Sequence, residues 1–475
     1  MPLHPSAGPP LDPHRSPGSA RLLVVSYHAP PSRAVGGLRW WGLGKHLARR
    51  GWSVRLVTAE PDPAGAADPS GMQVDRVPPG PTLGGRYRQW KRSRAGPKTP
   101  TRPGHGTVRG PSGPLRTLRR EVGGLLAIPD EARGWLGRGG MAVRRAVRAH
   151  APDLVVSTGP PHSVHAMTAW ALGRRGPAWV MDLRDPWSHS ARHHMDVAWW
   201  EPVVARLEAS LVRSAQGLLT TTPALATALA ERFPGLSPQS FPNGADAESL
   251  PSRRGDSGQG FQVVHLGTLY RHRDPSPLVR AFARFVSSQP EAQDARLRFV
   301  GPVVGGRGAE VEALAAEIGV AGQVTVEAAR DRSEALEVLA GAGVAVVLAQ
   351  NQPTQVPGKL YEPVAMGVPT LILTEAGSAS DAAGRRLGAA VRSPKDLTGM
   401  AAALRAAWSG AWSGALPEGV KVDYAELAEE LEELLLCWAE GRPVGADGEG
   451  KAVARSGSTS SASSLATSWT RRSQS

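Results

Sequence analysis

Cysteine is nearly absent from this 475-residue chain: Cys437 is the only one. A single thiol excludes a disulfide framework and fits a reducing compartment. No Cys or His cluster has zinc-ligand spacing. Long apolar runs are missing too. The longest, 341–349, is too short to span a bilayer and reads as a buried strand. The first twenty residues are rich in Pro and Gly and lack an apolar segment, so they do not read as a signal peptide. The expectation is a cytoplasmic protein. Lysine is scarce as well, with seven against forty-eight arginines.

That scarcity makes Lys359 conspicuous. It is the only lysine between Lys98 and Lys395. A chain that otherwise writes arginine has kept a compact, flexible ammonium here, which suits a phosphate where a planar guanidinium prefers a fork. Glu362 follows three residues later, on the same face if a helix begins at 360. Gly358 precedes the pair and permits close backbone approach. One cation and one carboxylate at a helix start can hold a diphosphate and a ribose. An ordinary surface pair is the competing reading.

The net charge of +13 is concentrated. Residues 81–150 hold sixteen Arg or Lys and three acids, which accounts for the whole excess. Charge this localised marks a partner: nucleic acid, an anionic membrane or a polyanionic substrate.

Size implies two to three domains. Segments 1–20 and 442–475 are low-complexity, the second rich in Ser and Thr, and both are expected to be disordered. Between them strand and helix patterns alternate. Strands are predicted at 22–26, 54–58, 154–157, 179–181 and 218–221, and helices at 38–50 and 141–149. After a polar, Gly-rich break at 251–260 the alternation restarts. Strands are predicted at 262–266, 296–300, 324–327 and 344–348. Helices are predicted at 278–287, 308–318, 333–339, 360–366 and 424–440. The resulting fold class is α/β, with two doubly wound Rossmann-like domains facing a cleft. They cover 21–250, with a basic insertion at 81–150, and 258–415, followed by a helix within 421–441.

Candidate site residues fall where strands end. The 32–37 loop, with Gly36 and Gly37, opens a helix and can bring amides to an anion. It does not have the G-x-G-x-x-G form, so a dinucleotide fingerprint is absent there. His162 and His165 lie one helical turn apart in Ser157–His165. Asp182-Leu183-Arg184-Asp185 sets two carboxylates around a guanidinium at a strand end. Asn243-Gly244 makes a tight turn at the interdomain edge. His265–Asp274 contains Arg271 and Arg273 beside a helix start, a plausible phosphate site. Each has a purely structural alternative: a turn, a packed histidine pair, an ion-pair network or a solvated basic loop.

Six of these motifs in this order resemble the GT-B glycosyltransferases, specifically the family-four, glycogen-synthase-like retaining group. They are 24–31 with Gly36-Gly37, 158–161, 182–187, 241–246, 265–270 and 357–369. The resemblance spans 21 to about 440. It implies a nucleotide-sugar donor held by the C-terminal domain and an acceptor held by the N-terminal one. Lys359 matches the residue on the donor diphosphate, Glu362 the one on the ribose, and Arg273 or Arg271 the arginine on the phosphates. Gly36 and Gly37 would lie under the diphosphate, and His165 at the sugar. Asp182 and Asp185, with Arg184 and Asn243, would shape the acceptor side. His165, Asp182 and Asp185 are the catalytic candidates. One departure concerns the family's second glutamate, eight residues before Glu362, which is Thr354 here. The lysine common after the arginine is also missing.

The chemistry is coherent without a cofactor. Departure of a diphosphate needs positive charge where charge develops. Lys359, an arginine and a helix N-terminus supply it, and no Asp-x-Asp occurs to bridge a metal. The expected pathway is bacterial cell-surface glycan assembly, with a lipid-linked or glycan acceptor. The basic segment, with Leu125, Leu126, Ile128, Trp135 and Leu136 as apolar anchors, is expected to hold the enzyme on the inner face of an anionic membrane. A sugar-nucleotide epimerase on the same fold is one rival. A nucleic-acid-binding protein is another, disfavoured because Tyr87, Trp90 and Trp135 are too sparse to stack bases.

Overall fold

The computed structural model describes residues 20–32, 34–60, 70–80, 130–188, 201–254, 260–442 and 444. Two wholly parallel sheets organise them. The first comprises β1 (Arg21–Ser26), β2 (Ser53–Thr58), β3 (Gln73–Arg76), β4 (Leu154–Gly159), β5 (Ala178–Leu183), β6 (Gly217–Thr220) and β7 (Gln239–Ser240). Their order is β3-β2-β1-β4-β5-β6-β7. The second comprises β8 (Gln262–Leu266), β9 (Arg296–Val300), β10 (Val324–Glu327), β11 (Val344–Leu348), β12 (Thr370–Leu373) and β13 (Ala390–Arg392). It runs β10-β9-β8-β11-β12-β13.

Each order reverses once, between β1 and β4 and between β8 and β11. Loops leaving adjacent strands there diverge to opposite faces and open a crevice at the strand C-terminal ends. The motifs of interest leave these four strands, β5 and β7. Burial explains why the strands read as continuous apolar runs rather than as alternations. In β1, Leu22 and Val24 face one core while Leu23 and Val25 face another, and all four are 0 % exposed. On the first face lies α1 (Leu38–Arg49), and on the second lie α2 (Leu136–His150) and α3 (Ser163–Leu172).

The helix α2 corrects the expected insertion. It begins at Leu136 and buries Ala142, Val143 and Ala146 against the sheet, as the ordinary crossover into β4. Trp135 is 1 % exposed and donates Nε1–H to the Val77 carbonyl at 2.7 Å. Leu136 packs on the same core. Neither is a free anchor, because a tryptophan beside arginines reads alike in a core and at an interface. Leu125, Leu126, Ile128, Tyr87 and Trp90 lie outside the described residues.

Two further helices, α4 (Glu201–Ser214) and α5 (Pro223–Arg232), complete the first domain. The second carries α6 (Ser276–Ser288), α7 (Arg307–Glu317), α8 (Arg332–Ala340), α9 (Tyr361–Ala365), α10 (Ala379–Arg386) and α11 (Leu397–Trp408). The last helix, α12 (Tyr424–Ala439), returns to the first domain. Its buried Leu427, Leu431, Leu435 and Trp438 follow a 4-4-3 spacing and pack beside α1 on the same sheet face, over β4 and β5. Asp423 caps it, accepting from Ala425 N at 3.2 Å.

Outgoing and returning chains pair where they cross between domains. Ala245 N donates to the Val422 carbonyl, and Tyr424 N to that of Ala245, each at 2.9 Å. From α1, Lys45 Nζ lies 2.6 Å from both Asp246 carboxylate oxygens, and Arg49 pairs with Glu248. His46, Asp246 and Asp423 hold potential ligand atoms within 4.8 Å of one another. The Lys45 ammonium already occupies both Asp246 oxygens, so ion pairing accounts for this cluster.

Candidate active site between the two domains

A cleft of about 690 Å³ lies between the two sets of strand ends and is lined by both domains. Its N-terminal wall is built on β1, β4 and β5. Asp182, at the end of β5, is 0 % exposed. Its Oδ2 accepts from Trp40 Nε1 at 2.6 Å and Thr158 Oγ1 at 2.7 Å, and lies 3.4 Å from Arg39 Nε. Arg39 in turn donates to the carbonyls of Phe241 (2.9 Å) and Pro242 (2.5 Å) and to Asn243 Oδ1 (3.2 Å). Asp182 thus ties the start of α1 to the interdomain crossing. It is a floor beneath the site, held through Oδ2 alone, because a carboxylate this buried persists only when it is paired.

Arg184, two residues on, reaches the cleft. Nε donates to the Gly159 carbonyl at 3.2 Å and Nη2 to that of Pro160 at 2.5 Å. A Cβ on Gly36 would fall 2.7 Å from Nη1, so glycine there leaves room for the guanidinium. Gly37 sits behind, where a Cβ would meet the His28 and Ala29 backbone at 2.8 Å. Asp185 accepts from Gln355 Nε2 at 2.5 Å, a bond across the cleft. Thr222 Oγ1 makes a second such bond to the Thr354 carbonyl at 2.6 Å. The position where the resembled family carries its second glutamate therefore serves here to join the domains through its backbone.

His165 is 0 % exposed beneath the Gly159 turn, with Nδ1 2.8 Å from Ser157 Oγ. Burial, aided by Arg184, lowers its pKa to about 3, so it is neutral. It stands outside the cleft lining, as do Asp182, Gly37 and Arg271. The sequence had no means to tell a lining side chain from one beneath the lining.

The C-terminal wall follows β8 and β11. Lys359 lies in a single 3-10 turn, Gly358–Leu360, and Glu362 in α9. Burial lowers the Lys359 pKa, with Arg273 and Arg332 adding repulsion and Glu362 opposing it. A Cβ on Gly267 would lie 3.2 Å from Lys359 Nζ, so the turn after β8 cradles the ammonium. Glu362 is 6 % exposed, and its Oε1 lies 2.7 Å from Arg332 Nη1. Arg273 faces the cleft with its guanidinium 5.2 Å from the Tyr270 ring centre. Arg271 is exposed and packs by Gly305. His265 is 3 % exposed, its Nδ1 2.9 Å from the Val346 carbonyl. A carbonyl only accepts, so the hydrogen is on Nδ1. Burial lowers its pKa to about 4.

Gly36, Arg184, Asp185, Asn243, Arg273, Lys359 and Glu362 thus line one cleft. Arg39, His265 and Gln355 also line it, Arg332 holds Glu362 from outside the lining, and all four were missed. Their partners are distant in sequence, as in Arg39–Phe241 and Arg332–Glu362, and no local spacing announces such pairs.

Residues 36–244 match the family model described as Glycosyl transferase 4-like domain. The first domain is therefore similar to the glycosyl transferase 4-like family, within a chain of GT-B architecture. Solved structures share the whole architecture at low identity. HepE of Anabaena, in complex with UDP and glucose, superposes with TM-score 0.54 at 15% identity, covering 88% of this chain and 99% of that one. Sucrose-phosphate synthase of Thermosynechococcus elongatus gives 0.53 at 17%, covering 88% and 96%. The α,α-trehalose 6-phosphate synthase of Burkholderia multivorans gives 0.50 at 18%, covering 89% and 97%. At such identities the likeness fixes the fold. No curated protein sequence matches the chain. Among the described residues no helix is long and apolar enough to cross a membrane.

Proposed function

We propose that this protein is a glycosyltransferase that moves a sugar, with retention, from a nucleotide-sugar donor to a lipid-linked or polysaccharide acceptor in bacterial cell-surface glycan assembly. The observation that carries the donor reading is the C-terminal wall. There Lys359 and Arg273, two cations, line the cleft together with Glu362, which Arg332 holds in place. The UDP and glucose in the HepE structure support the same kind of donor. Lys359 and Arg273 engage the diphosphate and stabilise charge on the leaving oxygens. Glu362 accepts from the ribose hydroxyls. Asp185 and Asn243 border the acceptor. With organic cations at the diphosphate, no metal is required.

A thermal-shift panel of UDP, GDP, TDP and ADP tests the donor reading. The cognate nucleotide at 100 times its dissociation constant should stabilise the protein by about 2.7 kcal/mol. A panel with no stabilising member would overturn the reading. The basic segment 81–150 is proposed to hold the enzyme on an anionic membrane, through its arginines rather than through Trp135 or Leu136. Pelleting with anionic but not neutral vesicles, reversed by salt, supports it. Tighter retention on RNA than on anionic lipid at matched salt removes it.

A further inference from the structure

Arg184 makes no direct ion pair among the described residues, although Asp182 and Asp185 lie near enough to act on it. The carbonyls of Gly159 and Pro160 hold its Nε and Nη2, which fixes the fork without neutralising it. Among the described residues Nη1 donates to no protein group, and no carboxylate lies within 4.0 Å of the guanidinium. The side chain lines the cleft. Burial lowers its pKa, against the pull of Asp182 and Asp185, yet a guanidinium stays charged. Gly36 has no side chain to cover Nη1, where a Cβ would stand 2.7 Å away. On the facing wall Lys359 likewise forms no ion pair among the described residues. The cleft thus holds two separate cationic centres, and a donor diphosphate at Lys359 and Arg273 accounts for one.

We propose that Arg184, approached over Gly36, is a second anion site, and that the acceptor places a phosphate ester there. This rests on the proposed assignment of the N-terminal wall to the acceptor. A carboxylate favours the two-nitrogen fork, which the carbonyls already occupy, whereas one phosphate oxygen is served by Nη1 alone. A phosphate bound here also orients the acceptor before transfer, since the bond is made on the wall opposite the donor.

Calorimetry with inorganic phosphate tests the site on the full chain, saturated with whichever nucleoside diphosphate binds. The expected result is phosphate binding to the nucleotide-loaded protein. Arg184→Gln should weaken it about tenfold or more. Gly36→Ala, which keeps the cation but crowds it, should weaken it as well, and acetate should bind worse than phosphate. A soluble hexose phosphate and vesicles containing phosphatidic acid then separate a free from a lipid-borne phosphate, and binding of either supports the proposal. Phosphate binding abolished by saturating nucleotide would overturn it. So would an Arg184→Gln variant of unchanged phosphate affinity, one that loses nucleotide equally, or failure of both phosphate esters. Unchanged circular dichroism shows that the variants fold. If no nucleotide binds the wild type, the donor reading fails, and phosphate titration of the ligand-free pair still decides the Arg184 site.

Discussion

The two walls of the cleft use charge differently. In the N-terminal wall Asp182 is 0 % exposed and Arg39 1 % exposed, and their bonds reach Trp40, Thr158, Phe241 and Pro242. These charges act as mortar between α1, the strand ends and the interdomain crossing. In the C-terminal wall Lys359 stays next to Arg273 with no ion pair among the described residues. Arg273 lowers the Lys359 pKa by repulsion, which an anion would relieve. Bonded charge at a site floor is structure, and the Lys359 ammonium at its face is readiness to bind.

Replacing a floor charge should have the largest effect on stability. Asp182→Asn leaves Arg39 buried without its carboxylate and should cost about 3–5 kcal/mol in urea unfolding. A loss within about 0.5 kcal/mol would erase the distinction between the walls.

His265 sharpens the contrast from the C-terminal side. Its folded pKa of about 4 lies below its ordinary value of 6.5, so protonation opposes folding. Its stabilising contribution is complete above pH 6.5 and is lost as pH falls toward 4, about 3 kcal/mol in all. His265→Gln should flatten the stability profile between pH 4 and 6.5. An unchanged slope there would show that other groups carry it.

For Lys359→Ala the expected loss is in ligand binding, not stability. Nucleoside diphosphate affinity should fall by roughly 1.5–3 kcal/mol, while nucleoside affinity is spared. Equal losses for both ligands in calorimetry would remove the phosphate assignment. Glu362→Gln should act less strongly, about 1 kcal/mol, and on nucleoside and diphosphate alike, since both contain ribose. The smallest expected effect is that of EDTA, with transfer persisting after chelation. Activity abolished by EDTA and restored by magnesium or manganese would mean that Lys359 and Arg273 do not suffice.

Much of the architecture was legible before the fold was known. Strands buried on both faces write short apolar runs, and β1, β8, β9, β10 and β11 fell within a residue of their expected bounds. Lys359 stood out because the chain so rarely uses lysine. The misjudged features were all cases where a local pattern has two tertiary outcomes. Trp135 beside arginines was a core residue, and 136–150 was a crossover helix rather than part of an insertion.

By itself the sequence determined the order of strands and helices, the placement of candidate motifs at strand ends, and the isolation of one lysine. Those properties are set by the period of apolar residues and by composition, which are local. Only the tertiary structure decided that Glu362 is held by Arg332, that Asp182 lies under the site rather than in it, and that α12 closes the first domain. Each depends on which distant side chain shares a buried volume. The free energy of a buried charge or an apolar face is set by those neighbours and not by the residues beside it in the chain.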